Sequence, residues 1–126
     1  MTRRIRSLAL FSVVPLLAAC GGAAGSGRVS SATAAHHVTI QAGDNFRFEP
    51  AEIHAHVGKF RITLTDSGSY PHNISFPALH TTSSTVSANP GQHETTITVT
   101  FPRPGTYEFV CTFHSSAGMK GQVTVS

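Results

Sequence analysis

The sequence predicts an all-β protein, a two-sheet Greek-key β-sandwich of about eight strands, and three observations support this prediction. Strand-favouring threonine, valine, isoleucine and phenylalanine are frequent, and so are glycine and proline. Helix-favouring leucine, glutamate, lysine and glutamine are scarce after the N-terminal segment. The rest of the chain alternates apolar and polar residues with a period of two, without a helical pattern. Because 126 residues suffice for one small domain, a single sandwich accounts for the folded part.

Eight short segments carry the alternation, and turn-favouring residues stand between them. Their apolar positions, in chain order, are Val38 and Ile40; Phe46 and Phe48; Ile53, Ala55 and Val57; Ile62 and Leu64; Ile74 and Phe76; Ile97, Val99 and Phe101; Tyr107, Phe109 and Cys111; Val123 and Val125. The stretch 77–93 is the least regular part of the chain, and we expect a long loop with at most a short turn or strand. Asn-Pro-Gly at 89–91 predicts the turn that leads back to the next strand.

The first segment of the chain has the pattern of a secretory leader. Three arginines precede an apolar run over 8–19, which is short for a membrane span because a span needs about 20 apolar residues. The sequence Leu-Ala-Ala before Cys20 resembles a bacterial lipobox. That resemblance implies a lipoprotein signal peptide over 1–19 and lipidation of Cys20 as an anchor. The alternative is ordinary signal cleavage with an incidental cysteine.

Residues 20–37 are predicted to form the lipidated cysteine and a flexible linker, since the segment is rich in small and polar residues. A flexible chain of that length has an end-to-end distance of roughly 20–25 Å. It would hold a domain of residues 38–126 just off a membrane. We therefore expect an extracytoplasmic lipoprotein, anchored at the outer face of the cytoplasmic membrane or on the periplasmic side.

The formal charge of +3 does not describe the folded domain. Past Arg6, the chain holds six acidic and six basic residues, which balance. The high pI therefore gives no support to nucleic-acid binding, and none is expected.

Three chemically soft or borderline donors lie close together near the C-terminus. The stretch CTFHSSAGM places a thiol at Cys111, an imidazole at His114 and a thioether at Met119. A strand ends at Cys111, and a short loop, turned by Gly118 and Gly121, carries the other two donors. Separately, each residue is more often packing or a loop residue, but together they favour a metal site.

His72 is the best candidate for a fourth donor, because a sandwich can bring the start of the strand around Ile74 beside Cys111. Two imidazoles and a thiolate in a plane with a long axial thioether form the blue-copper arrangement. Zinc also accepts cysteine and histidine, but a methionine ligand speaks against it.

At these residues the chain resembles the cupredoxins, and among them the plastocyanin and pseudoazurin type. The resembling stretches are Pro-His-Asn at 71–73, PGTYEFVC at 104–111 and the C-x2-H-x4-M spacing that ends at Met119. The similarity covers about residues 38–126, and no ligand position departs from the pattern.

The resemblance implies one type 1 copper per chain, cycling between Cu(II) and Cu(I). Its ligands would be His72, Cys111 and His114 in the plane and Met119 on the axis. The resemblance also implies that Asn73 joins the two ligand loops through the backbone near Thr112, and that the edge of His114 is the electron port. An apolar ring around this port should include Phe113, Ala117, Gly118, Ala78 and Leu79.

The leading functional hypothesis is a membrane-tethered one-electron carrier, a monomer that meets redox protein partners transiently and is not an enzyme. The main alternative is a copper-binding or delivery lipoprotein outside the cytoplasm. Its best support would be His54 and His56, which share one strand face, although two solvated side chains are the better explanation of them. No role is assigned to His80 or His93. A copper enzyme would need further copper sites that one constellation does not supply.

Overall fold

The computed structural model describes residues 31–33 and 36–126, and this part of the chain is all-β, as predicted. Its strands are β1 (Ser31–Thr33), β2 (His37–Ala42), β3 (Phe48–Glu49), β4 (Glu52–Ala55), β5 (Gly58–Asp66), β6 (Ser75–Phe76), β7 (Thr81–Thr82), β8 (Glu94–Phe101), β9 (Gly105–Val110) and β10 (Lys120–Val125). Two short 3₁₀ helices span Pro77–Leu79 and Ser115–Ala117. The predicted signal segment 1–19 and Cys20 lie outside the described residues.

The strands form two mixed sheets that enclose one core. The six-stranded sheet has the order β1-β4-β10-β9-β6-β7, and the four-stranded sheet has the order β3-β2-β5-β8. The chain changes sheet repeatedly, so that β2 and β5 pair in parallel in one sheet while β4 and β10 do so in the other. No helix in the described ranges is long and apolar enough to cross a membrane.

Alternate burial explains why these segments are strands. In β2 and β8, apolar residues are buried and the residues between them face outward. Aromatic rings fill the space between the sheets, and the ring of Phe109 lies 5.2 Å from that of Phe48 and 5.5 Å from that of Phe76. Such rings each bury a large apolar area, so they contribute strongly to the stability of a small sandwich. All eight predicted segments correspond to strands, namely β2 to β6 and β8 to β10.

Four residues predicted within strands lie outside them, and two of these, Ile74 and Cys111, stand directly beside β6 and β9. Val57 follows β4 and is 45% exposed. Phe46 precedes β3, where its N–H donates to the carbonyl of Gly43 at 3.0 Å and its φ is +55°. The turn thus takes Phe46 out of the pleat, although its spacing from Phe48 matches a strand.

The strand β1 was not predicted, whereas β7 is a short strand of the kind expected within 77–93. β1 falls within the segment interpreted as linker, and it pairs in parallel with β4, while β2 begins at His37, the last residue of that segment. Edge pairing uses backbone groups, so it needs none of the large apolar residues that the prediction relied on.

In 77–93, the expected turn is present, since Gln92 N–H donates to Asn89 O at 3.0 Å.

The sandwich has two distinct ends. The strand β9 runs into Cys111, and at the same end lie His72 and the last residue of β5, Asp66; this is the metal end. At the opposite, distal end, β5 begins at Gly58, which pairs with the last residue of β8, Phe101.

Candidate metal centre

Cys111 stands directly after β9, the strand that buries Tyr107 and Phe109 in the core. The thiol-bearing residue is itself fully buried. Its N–H donates to the carbonyl of Met119 at 3.1 Å, next to the point where Lys120 pairs with the end of β9. The loop that carries the other donors is therefore closed at its base by the sheet.

The loop 111–119 folds back on itself through backbone hydrogen bonds. The N–H of His114 donates to Cys111 O at 3.2 Å, and the N–H of Met119 donates to His114 O at 3.2 Å. Gly118 has a φ of +83°, a conformation that favours glycine. Gly121, expected to help the loop turn, instead lies in β10, where a side chain would meet the ring of Phe109.

His72 contributes to the centre from a segment 39 residues before Cys111 in the chain. Its backbone forms a two-bond bridge with Val86, with N–H to carbonyl distances of 3.0 and 2.8 Å. The side chain is fully buried. His72 is thus held by the stretch 77–93, which sequence reasoning left without a role.

The side chains of His72, Cys111 and His114 come together in one cluster. Nδ1 of His72 lies 3.9 Å from Cys111 Sγ, and Nδ1 of His114 lies 3.6 Å from it. All three donor atoms lie within 4.8 Å of one another. It is the one such cluster of histidine, cysteine or acidic donors found among residues 31–33 and 36–126.

These distances fit a shared metal ion. Metal–nitrogen and metal–thiolate bonds of about 2.0 and 2.3 Å at an angle near 120° separate the donor atoms by about 3.7 Å. A thiolate suits Cu(I), and imidazole suits copper in both oxidation states. The donor set is therefore consistent with a type 1 copper site. Met119 is fully buried and joined through its backbone to Cys111 and His114, while its part as axial ligand stays a prediction.

A side-chain link joins the two segments that carry the donors. Asn73 Oδ1 accepts a hydrogen bond from Thr112 N–H at 2.9 Å, and Asn73 Nδ2 donates to Thr112 Oγ1 at 2.9 Å. Asn73 is 6% exposed and Thr112 is exposed, so these bonds are partly shielded from competing water. They fix the residue after His72 against the residue after Cys111.

Burial lowers the pKa of His72 below its ordinary value. The carboxylates of Asp66 and Asp44 act in the opposite direction, and His114 adds to the lowering. The neutral imidazole, which has a free lone pair for a metal, is thereby favoured. The second ring nitrogen, Nε2, is buried and has no hydrogen-bond partner within the described residues.

His114 is half-buried and surrounded by aromatic rings. Phe46 stacks on it, with ring centroids 4.5 Å apart and an interplanar angle of 29°. Tyr70 and Phe113 lie 6.2 and 6.3 Å from it and are 51% and 49% exposed. The backbone N–H of Tyr70 donates to Asp44 Oδ1 at 3.2 Å, which holds that ring beside the centre.

The aromatic surroundings were predicted only in part. Phe113, Ala117, Gly118 and Ala78 are exposed, as a surface ring requires, whereas Leu79 is half-buried and packs against the core. Phe46 and Tyr70 were missed. The turn-forming residues 43–45 before Phe46 were the signal that this ring leaves the strand.

The remaining histidines of the described chain do not join a donor cluster. His54 and His56 are exposed, and His56 Nδ1 lies 3.0 Å from Ser126 Oγ. His80 caps the helix Pro77–Leu79 with a φ of +49°. His93 accepts a backbone hydrogen bond from Asp66 through its carbonyl.

The chain is similar to known proteins both in sequence and in fold. Residues 9–125 match the family of cupredoxin-like domains. The chain is 35% identical over 108 residues to chloroplastic plastocyanin of Physcomitrium patens, across 78% of this chain and 61% of that protein, so it spans less than two thirds of that relative. It is 34% identical over 116 residues to chloroplastic plastocyanin of Hordeum vulgare, across 86% of this chain and 74% of that protein. Oxidized plastocyanin from Dryopteris crassirhizoma has a similar fold, with a TM-score of 0.55 and 28% identity over 71% of this chain and 100% of that one.

Proposed function

The chain belongs to the cupredoxin-like family, and from this we propose that it is a type 1 copper protein that carries single electrons outside the cytoplasm, tethered to a bacterial membrane. The observation that carries the proposal is the cluster of His72, Cys111 and His114, whose donor atoms lie within 4.8 Å of one another. A carrier, rather than an enzyme, is the role that fits a plastocyanin-like cupredoxin.

Copper, when bound, would supply a one-electron couple between Cu(II) and Cu(I). The chain's own contribution is to hold the donors in place. The bridge between His72 and Val86, the hydrogen bonds of Asn73 and the strand end at Cys111 already bring the donor atoms together. A site that is held in this way needs little rearrangement when its charge changes, and this favours fast electron transfer.

Access to the centre lies at His114. Cys111, His72 and Met119 are fully buried, whereas His114 is half-buried. Electrons would therefore pass through the edge of this ring. The exposed rings of Tyr70 and Phe113 beside it offer a small apolar contact for redox proteins, which suits weak and brief encounters.

The test of the electron-carrier role compares two rates on the copper-loaded protein. Electron self-exchange, measured by NMR line broadening in mixtures of the two oxidation states, should be fast. Loss of copper to a chelator should be slow, because three of the four predicted ligands are buried. Rapid copper loss with slow self-exchange would favour copper delivery instead.

The tether is proposed from the lipobox at Cys20 and the leader before it. Changing Cys20→Ser should release the protein from the membrane fraction of an expressing bacterium. The matched control is Cys111→Ser, which removes the other thiol and should leave the protein sedimenting with membranes. If Cys20→Ser also stays with the membranes, the anchor lies elsewhere.

A further inference from the structure

The charged residues of the domain are sorted between its two ends. All six side-chain carboxylates lie at the metal end or in the half of the sheets nearer to it. Asp44 and Asp66 flank the centre, Glu94 pairs with Thr65 near the end of β5, and Glu49 pairs with Gln41 near the end of β2. The other two, Glu52 and Glu108, both pair with Gln122 in the first half of β10.

The basic residues follow the opposite distribution. Lys59 and Arg61 stand near the start of β5, and Arg103 lies in the turn between β8 and β9, all toward the distal end. Arg47 and Lys120 lie toward the metal end. Counted over side chains alone, six carboxylates and two cations give the metal half a formal charge of −4, and three cations give the distal half +3; a terminal carboxylate at Ser126, beside the start of β9, would lower the second figure to +2. The near-neutral sum therefore conceals a strong charge dipole.

The distal cations are available to an external anion. Lys59, Arg61 and Arg103 are all exposed. The one ion pair found among residues 31–33 and 36–126 joins Lys120 to Glu108 at 3.7 Å, in the other half. Lys59 and Arg61 point outward from the same face of β5. Val57, 45% exposed, adds an apolar side chain at this end.

The proposed tether does not by itself decide which end faces the membrane. Described structure begins at Ser31, which pairs with Glu52 at the edge of the six-stranded sheet, in the half toward the metal end. The eleven residues from Cys20 to Ser31 can span at most about 40 Å, enough to let the domain turn either way. The distribution of charge between the two ends therefore determines which end faces the membrane.

We propose that the distal end, through Lys59, Arg61 and Arg103, rests on anionic lipid headgroups, so that the metal end faces the aqueous space. This inference rests on the proposed membrane tether. An anionic leaflet attracts the positive end and repels the negative end. The force acts within a Debye length of about 8 Å, a range that a tethered domain samples continuously. The centre is thus presented to soluble partners.

The reactivity of the two lysines of the chain can report this orientation. Lys59 and Lys120 are its only lysines, one in each half, and both are exposed. The full-length protein, purified from bacterial membranes, is reconstituted in vesicles of phosphatidylcholine alone or mixed with phosphatidylglycerol. A membrane-impermeant acetylating reagent is added, and the modification rate of each lysine is read by mass spectrometry.

With phosphatidylglycerol, acetylation of Lys59 should slow by roughly fivefold relative to Lys120, and raised salt should abolish the difference. The double variant Arg61→Gln with Arg103→Gln should lose the protection of Lys59. The matched control Arg47→Gln, in the metal half, should keep it. Circular dichroism checks that both variants fold. An unchanged ratio of the two rates in both vesicle types would overturn the proposal.

Failure of the tether gives a different result. An anchored chain floats with phosphatidylcholine vesicles, whatever its orientation. If it does not float, the tether proposal fails, and the lysine ratio is then measured with excess phosphatidylglycerol vesicles at low salt. Protection of Lys59 there would still support the lipid contact, and equal reactivity would reject it.

Discussion

The two histidines of the metal centre differ in burial, although hydrogen bonds fix the backbone of both. His72 is fully buried, and two backbone hydrogen bonds to Val86 fix its position. His114 lies half-buried in the loop 111–119, where a stacked ring of Phe46 is its main side-chain contact outside the cluster. Cys111 lies between them, within 3.9 Å of one Nδ1 and 3.6 Å of the other. The difference teaches that a centre whose donors are all held by the backbone can still be reached through one of them, His114.

Removal of the shared donor should have the largest effect. Cys111→Ser replaces the thiolate that lies against both histidines, so the thiolate-to-copper charge-transfer absorption should vanish. Visible spectroscopy of the copper-loaded variant checks this result. A variant that stays blue would remove Cys111 from the site.

The contrast between the histidines can be tested by rescue. His114→Gly opens a gap at the surface, where added imidazole can enter and restore the absorption band of the loaded protein. His72→Gly leaves a gap in the buried interior, so added imidazole should restore much less. The test titrates imidazole into both copper-loaded variants. Equal rescue of the two would contradict the difference in access.

Loss of the link between the two donor segments should destabilise the fold. Asn73→Ala removes three hydrogen bonds to Thr112 and leaves the N–H of that residue without its partner, which should cost about 1–3 kcal/mol. Denaturant unfolding of the metal-free protein measures the change. Asn45→Ala, an exposed asparagine with one local bond, is the control and should cost about 0.5 kcal/mol or less. Equal effects would mean that Asn73 does not join the loops.

The stacked ring should matter more than the exposed one. Phe46→Ala removes a half-buried ring at 4.5 Å from His114, and stability should fall by about 1–2 kcal/mol. Phe113→Ala, at 6.3 Å and 49% exposed, should change stability by about 0.5 kcal/mol or less. Thermal unfolding of the metal-free forms compares them. A larger loss of stability for Phe113→Ala than for Phe46→Ala would show that the stacked ring is not the more important of the two.

The smallest effect is expected from pH, through the protonation of His72. Burial lowers its pKa in the folded metal-free protein, whereas the unfolded chain takes up a proton near its ordinary value of about 6.5. The contribution of the neutral His72 to the free energy of unfolding is therefore complete above that pH. It declines as the pH falls through that value toward the lowered pKa. Denaturant midpoints between neutral and acid pH should decline less in His72→Gln than in the wild type. His54→Gln, at an exposed position, should behave like the wild type, and an unchanged decline in His72→Gln would contradict this account.

Local patterns were enough to predict the strands and one side of the centre. The strand at Tyr107 and Phe109 and the spacing of Cys111, His114 and Met119 lie in one short stretch, so the sequence shows them directly. The place of His72 required the assumption of a sandwich, because its contact with Cys111 spans 39 residues. That prediction rested on a resemblance as well as on physics.

The remaining features depend on contacts that no local pattern records. Phe46 covers His114 only because the turn before β3 takes a positive φ. Val86 holds His72 through backbone groups, which carry no sequence signature. The separation of charge between the two ends follows from strand register, since the same residues sum to near zero along the chain.

The most direct test of the central claim is a titration of the purified protein with Cu(II), followed by visible absorption and EPR. We expect an intense blue band and a narrow copper hyperfine splitting that saturate at one copper per chain, because one thiolate and two imidazoles already lie together. A colourless product, or weak bands from copper on surface histidines such as His54 and His56, would show that the centre does not assemble and would contradict the account.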